Sequence, residues 1–148
     1  MTDLDRFVRA QEDVHEAALA EVRAGRKVGH WMWFVYPQLA GLGRSETSRY
    51  YAIASLEEAR AFLAHPVLGA RIRAAATAVL EAPPDRSAQA IFGSIDAVKL
   101  RSSMTLFERA DPSEPAFGQV LDRHFGGRLD EATDRLLAGS PSGGASSR

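Results

Sequence analysis

The residues best suited to chemistry lie in segment 30–38, with sequence HWMWFVYPQ, which contains both tryptophans of the chain. Its indole and phenol rings can stack on a planar ligand, and their N–H and O–H groups need hydrogen-bond partners. His30 and Gln38 bracket the segment with polar side chains that do little for an apolar core. Pro37 lacks an N–H, so regular structure is interrupted there. The segment is too short to span a membrane, so it either packs in the core or lines a pocket.

Polar side chains on neighbouring helices are candidates to complete such a pocket. Gln11 falls on the apolar face of the first predicted helix, where a buried amide must find partners or face a cavity. Glu12 and Asp13 lie beside it. A second group shares one surface of a later helix because its members are three and four positions apart: Lys99, Ser102 and Ser103. Lys99 is either a surface residue with a partly buried stem or a cation for a phosphate or carboxylate.

Together these side chains suit a flat ligand that carries a negative group. The set comprises Trp31, Trp33 and Tyr36 for stacking, His30, Gln11 and Gln38 for hydrogen bonds, and Lys99 with Ser102 and Ser103 for an anion. Ring faces combined with amides and one cation fit a nucleobase, a nucleotide or a flavin-like molecule. We therefore expect a small nucleotide-like partner.

Several other kinds of site have no sequence support. The chain has no cysteine, and its four histidines do not occur in a zinc-binding spacing, so we expect neither a metal nor another cofactor. The G-x-S-x-G turn of serine hydrolases and the phosphate loop are missing. Lys99 and Ser102 occur in the reverse of the Ser-x-x-Lys order, which argues against a Ser-Lys nucleophile.

The composition is that of one globular domain. The chain has 148 residues, of which 45% are hydrophobic, and a formal net charge of −1. Without a separate cluster of basic residues, we expect no binding to duplex nucleic acid or to a membrane, while the oligomeric state is left open. The first residues do not resemble a signal peptide, so we expect a cytoplasmic protein.

The spacing of apolar residues predicts a mainly α-helical, single compact domain over residues 1–138. We expect six to eight helices, with at most a small extended pairing around 31–36 and 50–53. Capping residues, prolines and glycines place the helices at about 4–23, 55–65, 66–82, 87–92, 94–109, 113–125 and 130–137. Residues 39–45 are predicted to form a loop, and the Gly/Ser/Pro-rich residues 139–148 a disordered tail.

Four segments carry a resemblance to a known family: RFVRAQ at 6–11, HWMWFVYPQ at 30–38, HPVLG at 65–69 and KLRSSMTLF at 99–107. Over about residues 4–137 the chain resembles the bacterial domain-of-unknown-function family eighteen-ten, whose members are often mislabelled calpastatin. This family is similar, more remotely, to the mostly helical NADAR or YbiA-like proteins. The resemblance implies a pocket for a ribosyl nucleotide, or an N-glycosidase site, between the first helix, the aromatic segment and the Lys99 helix.

Three hypotheses about function follow. The first is an N-glycosidase acting on a nucleotide-like or ADP-ribose-related N-riboside, with Glu12 or Asp13 as the carboxylate and His30 or Lys99 as the acid. The second is a non-catalytic module that binds a nucleotide or an ADP-ribose-like group. In the third, the aromatic segment is structural core and no ligand is bound.

Overall fold

The computed structural model describes residues 3–139, which form ten α-helices around one hydrophobic core. The helices are α1 (Asp5–Gln11), α2 (His15–Arg23), α3 (Met32–Val35), α4 (Glu46–Tyr50), α5 (Leu56–Ala64), α6 (Leu68–Glu81), α7 (Ala88–Phe92), α8 (Ser94–Ala110), α9 (Pro115–Phe125) and α10 (Glu131–Gly139). The mainly helical fold predicted from the sequence is confirmed, with more and shorter helices than expected.

Local capping explains where most helices begin and end. The hydroxyl oxygens of Ser55 and Ser87 accept hydrogen bonds from the N–H groups three residues on, at the starts of α5 and α7. The carboxylate of Asp130 accepts from Thr133 in the same way at the start of α10. Gly126 ends α9 with a left-handed φ of 63°, a conformation that glycine adopts without strain.

The first predicted helix is interrupted in the structure. Instead of one helix over residues 4–23, α1 and α2 are separated by residues 12–14, where Glu12 N–H bonds to Arg9 O and Val14 N–H bonds to Gln11 O. These i→i+3 bonds tighten the backbone and redirect it. Because of this turn, α1 packs against α3 while α2 packs against α6.

The extended pairing involves a different partner from the one expected. Residues 32–35 form the single turn of α3, and the described residues contain one isolated parallel bridge, between Leu39 and Ile53. Ile53 N–H donates to Gln38 O at 2.8 Å, and Ala40 N–H donates to Ile53 O at 2.8 Å. The segment after Pro37, not the aromatic segment before it, therefore pairs with residue 53.

Helix α8 lies at the centre of the fold, as its broadly distributed apolar residues predict. Leu100, Met104, Leu106 and Phe107 on this helix are fully buried. Helices α5, α7, α9 and α10 all pack against it. Lys99 and Asp96, which matter for the site below, are therefore carried on the central helix.

No helix among the described residues is long and apolar enough to cross a lipid bilayer. The predicted tail, from residue 140 onward, lies outside the described residues, while Gly139 is the last residue of α10.

Candidate functional site

An open cleft lies between α3 and α4. Its volume is about 820 Å³, within the range of small-molecule sites. Four aromatic side chains line it together with three polar ones: Trp33, Phe34, Tyr50, Tyr51, Glu46, Thr47 and Arg49. We call this cavity the aromatic cleft. Phe34 and Tyr51 lie with ring centroids 5.3 Å apart, and Tyr50 packs edge-on against Tyr51 at 4.7 Å.

The aromatic segment 30–38 is divided between the core and this cleft. Trp31 and Tyr36 are 2% and 1% exposed, whereas Trp33 and Phe34 are half-buried and line the cleft. The indole N–H of Trp31 donates to Glu21 Oε1 at 2.9 Å, and the hydroxyl of Tyr36 donates to Ala75 O at 2.8 Å. The N–H of Trp31 and the O–H of Tyr36 thus have hydrogen-bond partners inside the protein. Because both rings are buried, neither presents a face to a ligand.

Glu21 organises the approach to the aromatic segment, a role that the sequence does not reveal. Its Oε1 accepts hydrogen bonds from Val28 N–H, Gly29 N–H and the Trp31 indole, at 2.8 to 2.9 Å. Burial opposes ionisation of this carboxyl, but these three hydrogen bonds and the nearby Lys27 outweigh it and lower the pKa of Glu21. From the sequence, Glu21 cannot be distinguished from an ordinary solvent-exposed acid on α2, because its hydrogen-bond partners lie in a loop further along the chain.

The structure brings Lys99 to Trp33. The Lys99 ammonium lies 5.4 Å from the centroid of the Trp33 ring, and that of Lys27 lies 4.9 Å from the Trp31 ring. Asp96 joins the two lysines, with Oδ2 at 3.0 Å from Lys27 Nζ and Oδ1 at 3.6 Å from Lys99 Nζ. Of the candidates proposed from the sequence, Trp33 lines the aromatic cleft, and the Lys99 ammonium lies over the Trp33 ring without itself lining the cleft.

Gln11 and the acids beside it are not among the residues that line the cleft. Gln11 is buried, and its Nε2 donates to Phe34 O at 2.8 Å, while Arg71 Nη1 donates to its Oε1 at 3.4 Å. Glu12 is exposed and lies 3.7 Å from Arg71, and Asp13 is exposed. Neither carboxylate lines the cleft. Gln11 thus anchors the backbone of a cleft residue rather than reaching a ligand directly.

The remaining candidates are dispersed. His30 is exposed, and Gln38 is half-buried with its backbone carbonyl in the bridge to Ile53. The Ser102 hydroxyl lies 3.1 Å from Asp130 Oδ2, the carboxylate that caps α10. Ser103 is fully buried, and its hydroxyl has no hydrogen-bond partner among residues 3–139. None of these four side chains lines the aromatic cleft.

A buried histidine beside Arg71 was not anticipated. His15 is 6% exposed, and its Nδ1 has no hydrogen-bond partner in the part of the chain that the structure describes. Burial, and after it the positive charge of Arg71, lowers the pKa of His15, so the ring is neutral at pH 7. The sequence carries no signal for this pair, because the two residues lie on different helices.

Within residues 3–139, no group of three or more histidines or acids is placed to hold a metal ion. The chemistry available at the aromatic cleft is ring stacking, hydrogen bonding by Thr47 and Arg49, and a carboxylate from Glu46, with the ammonium of Lys99 beside Trp33. This combination suits a planar organic ligand.

Comparisons with known proteins agree with the fold. The family model described as "Protein of unknown function (DUF1810)" matches residues 1–137. No curated protein matches the chain. The crystal structure of the conserved hypothetical protein Rv1873 from Mycobacterium tuberculosis is 48% identical in sequence and superposes with a TM-score of 0.90, covering 93% of this chain and 98% of that one. From the match over nearly its whole length, the chain belongs to the DUF1810 family.

Proposed function

We propose that this protein binds a small nucleoside-like molecule, an N-riboside, in the aromatic cleft. The observation that carries the proposal is the convergence of four aromatic side chains, from α3, α4 and the residue after α4, on one open cavity of about 820 Å³. Aromatic side chains bind nucleobases by stacking, and each stacked base contributes roughly 1–3 kcal/mol. A cleft of this volume accommodates a nucleoside or nucleotide.

The polar groups at the cleft support a riboside rather than an entirely apolar ligand. Glu46, Thr47 and Arg49 present a carboxylate, a hydroxyl and a guanidinium beside the rings. These groups can accept from and donate to ribose hydroxyls and base edges. The remote similarity expected between this family and the NADAR or YbiA-like proteins suggests the same ligand class, including ADP-ribose-related molecules. We place this binding in the cytoplasm, as predicted from the sequence.

Removing the Tyr50 ring should weaken binding by about tenfold, the loss expected for one stacking partner. Tyr50 is 54% exposed, and its backbone carbonyl, which accepts from Arg6 Nε at 2.7 Å, is retained in Tyr50→Ala. The fold should therefore be unaffected. Isothermal titration calorimetry with the four ribonucleosides and their 5′-monophosphates measures the change.

Val98→Ala serves as the control, because Val98 is 60% exposed on α8 and does not line the aromatic cleft. It should bind the same compounds as the unmodified protein does. If Tyr50→Ala binds as tightly as the control, or if no compound in the panel binds to the unmodified protein, the proposed function is wrong.

Hydrolysis of the N-glycosidic bond is a second candidate, favoured by the position of Glu46. This reaction adds water across the C1′–N bond, so that hydroxide ends on C1′ and a proton on the leaving nitrogen. It needs a carboxylate to stabilise an oxocarbenium-like ribose or to activate water, and an acid for the nitrogen. Glu46 is the carboxylate that lines the cleft, and water in this open cleft supplies the proton for the leaving nitrogen.

Glu46→Gln should lower the rate of base release at least about a hundredfold while ligand binding persists, because general acid-base groups contribute on that scale. Chromatographic detection of the free base measures the rate. Glu12→Gln is the matched comparison, since Glu12 is an exposed acid paired with Arg71 outside the cleft. If Glu12→Gln loses the activity and Glu46→Gln retains it, the assignment of the carboxylate role to Glu46 is wrong.

A further inference from the structure

The two lysines that contact Asp96 differ in their ion-pair distances, hydrogen bonds and exposure. Lys27 has a close ion pair with Asp96 at 3.0 Å, donates to the Gly29 carbonyl, and is 10% exposed. Lys99 is 23% exposed and lies 3.6 Å from the same carboxylate, beyond the distance of a good hydrogen bond. It donates no hydrogen bond to any residue in the range 3–139. Lys27 therefore has the closer ion pair with Asp96.

Lys99 is consequently a cation with unused donors. An ammonium group has three N–H donors, and one carboxylate shared between two lysines leaves one net positive charge. Such a group beside a ring surface is well suited to an anion with several acceptor oxygens, because charge-assisted hydrogen bonds are about twice as strong as neutral ones. Helix α8, which carries Lys99, is contacted by α5, α7, α9 and α10.

The Lys99 ammonium lies close to Trp33, one of the rings on which a base could stack. It lies 5.4 Å from the centroid of the Trp33 ring, and Trp33 lines the cleft. A base stacked on Trp33 would lie roughly 3.5–4 Å from the indole plane. A negative group attached to the ribose of such a ligand would be attracted to the Lys99 ammonium, because the ammonium lies over the same Trp33 ring.

We propose that Lys99 forms a phosphate subsite beside Trp33, so that the ligand of the aromatic cleft is a phosphorylated nucleoside and not a free nucleoside. This inference rests on the proposed function, because it assigns one end of a ligand whose ring lies in the cleft. Asp96 is a positioning residue that limits where the ammonium can lie. The recognised chemistry is a phosphate monoester or diester on the ribose.

The test compares each of the four ribonucleosides with its 5′-monophosphate, using calorimetric dissociation constants for the unmodified protein and for variants. The monophosphate should bind at least about tenfold more tightly than the nucleoside. Lys99→Met should remove this preference while nucleoside affinity changes by less than about twofold. Lys99→Arg, which retains a cation, should keep the preference. Arg135→Met removes the same positive charge at an exposed position of α10 outside the cleft, and it should also keep the preference.

Each other outcome is informative. If nucleosides bind as tightly as their monophosphates to the unmodified protein, the ring-binding function stands and the phosphate subsite is wrong. If Arg49→Met removes the preference and Lys99→Met retains it, the phosphate lies at Arg49 and the inference is overturned. If neither class of compound binds, both proposals fail together. Circular dichroism melting of each variant confirms that the compared proteins are folded.

Discussion

Trp31→Ala should destabilise the protein by about 3–5 kcal/mol, the range for truncating a large aromatic side chain in a core. Trp31 is 2% exposed and packs edge-on against Phe92 with ring centroids 6.4 Å apart. Its loss also removes one of the three donors to Glu21 Oε1, leaving a partly buried carboxylate less well satisfied. Domains of this kind have total stabilities of about 5–15 kcal/mol, so the substitution removes a large share. Urea denaturation followed by circular dichroism measures it.

Two further substitutions separate the contribution of the Trp31 ring from that of its N–H, and the core tryptophan from the cleft tryptophan. Trp31→Phe retains a ring but lacks the indole N–H, so we expect a smaller loss of about 1–3 kcal/mol. Trp33→Ala removes a half-buried ring from the cleft and should cost less stability than Trp31→Ala while weakening ligand binding. Equal destabilisation by Trp31→Ala and Trp33→Ala would contradict the division of the aromatic segment between core and cleft.

Gly69→Ala should destabilise the protein by about 3 kcal/mol or more, because the added methyl group has no space. A Cβ at this position would lie 2.1 Å from the backbone oxygen of Leu63 and 2.9 Å from Arg73 Nη1. The Gly69 N–H is also bound to the His65 carbonyl at 2.8 Å, which fixes this close approach of α6 to the end of α5. Since the obstacle is backbone, relief requires moving one helix relative to the other.

Gly118→Ala is the matched control, because it is also a glycine-to-alanine change inside a helix. Its Cβ would lie 3.4 Å from the Glu108 carboxylate, an ordinary contact. Alanine is favoured over glycine in a helix by up to about 1 kcal/mol, so this variant should be as stable as the parent or slightly more stable. Urea midpoints of the two variants provide the comparison. A Gly69→Ala protein as stable as Gly118→Ala would show that the α5–α6 approach is not tight.

Most helix boundaries could be predicted because their causes are local. Ser55, Ser87 and Asp130 each accept a hydrogen bond from a residue three positions later, so the interaction is visible in a short stretch of sequence. Gly126 likewise ends α9 through its own backbone conformation. The interruption between α1 and α2 had no such signal. Gln11, the last residue of α1, bonds instead to Phe34 O, 23 positions along the chain.

The candidate site was predicted only in part, for the same reason. The sequence indicated that Trp33 and Lys99 are suited to a common ligand, and the structure places them together. It could not indicate that Trp31 and Tyr36 are core, because their partners Glu21 and Ala75 are 10 and 39 positions away. Nor did it identify α4 as a cleft wall, since residues 50–53 fit either a helical turn or an extended segment.

By itself, the sequence determined the helical class of this protein, most of its helix ends and the aromatic segment on which its site depends. Only the tertiary structure decided which rings of that segment remain accessible and which polar groups lie beside them. The physical reason is that helix caps and apolar periodicity act over a few residues, whereas burial and ion pairing depend on which distant segments pack together. Asp96 shows this most directly, because its charge is shared between Lys99 on its own helix and Lys27 in a distant loop.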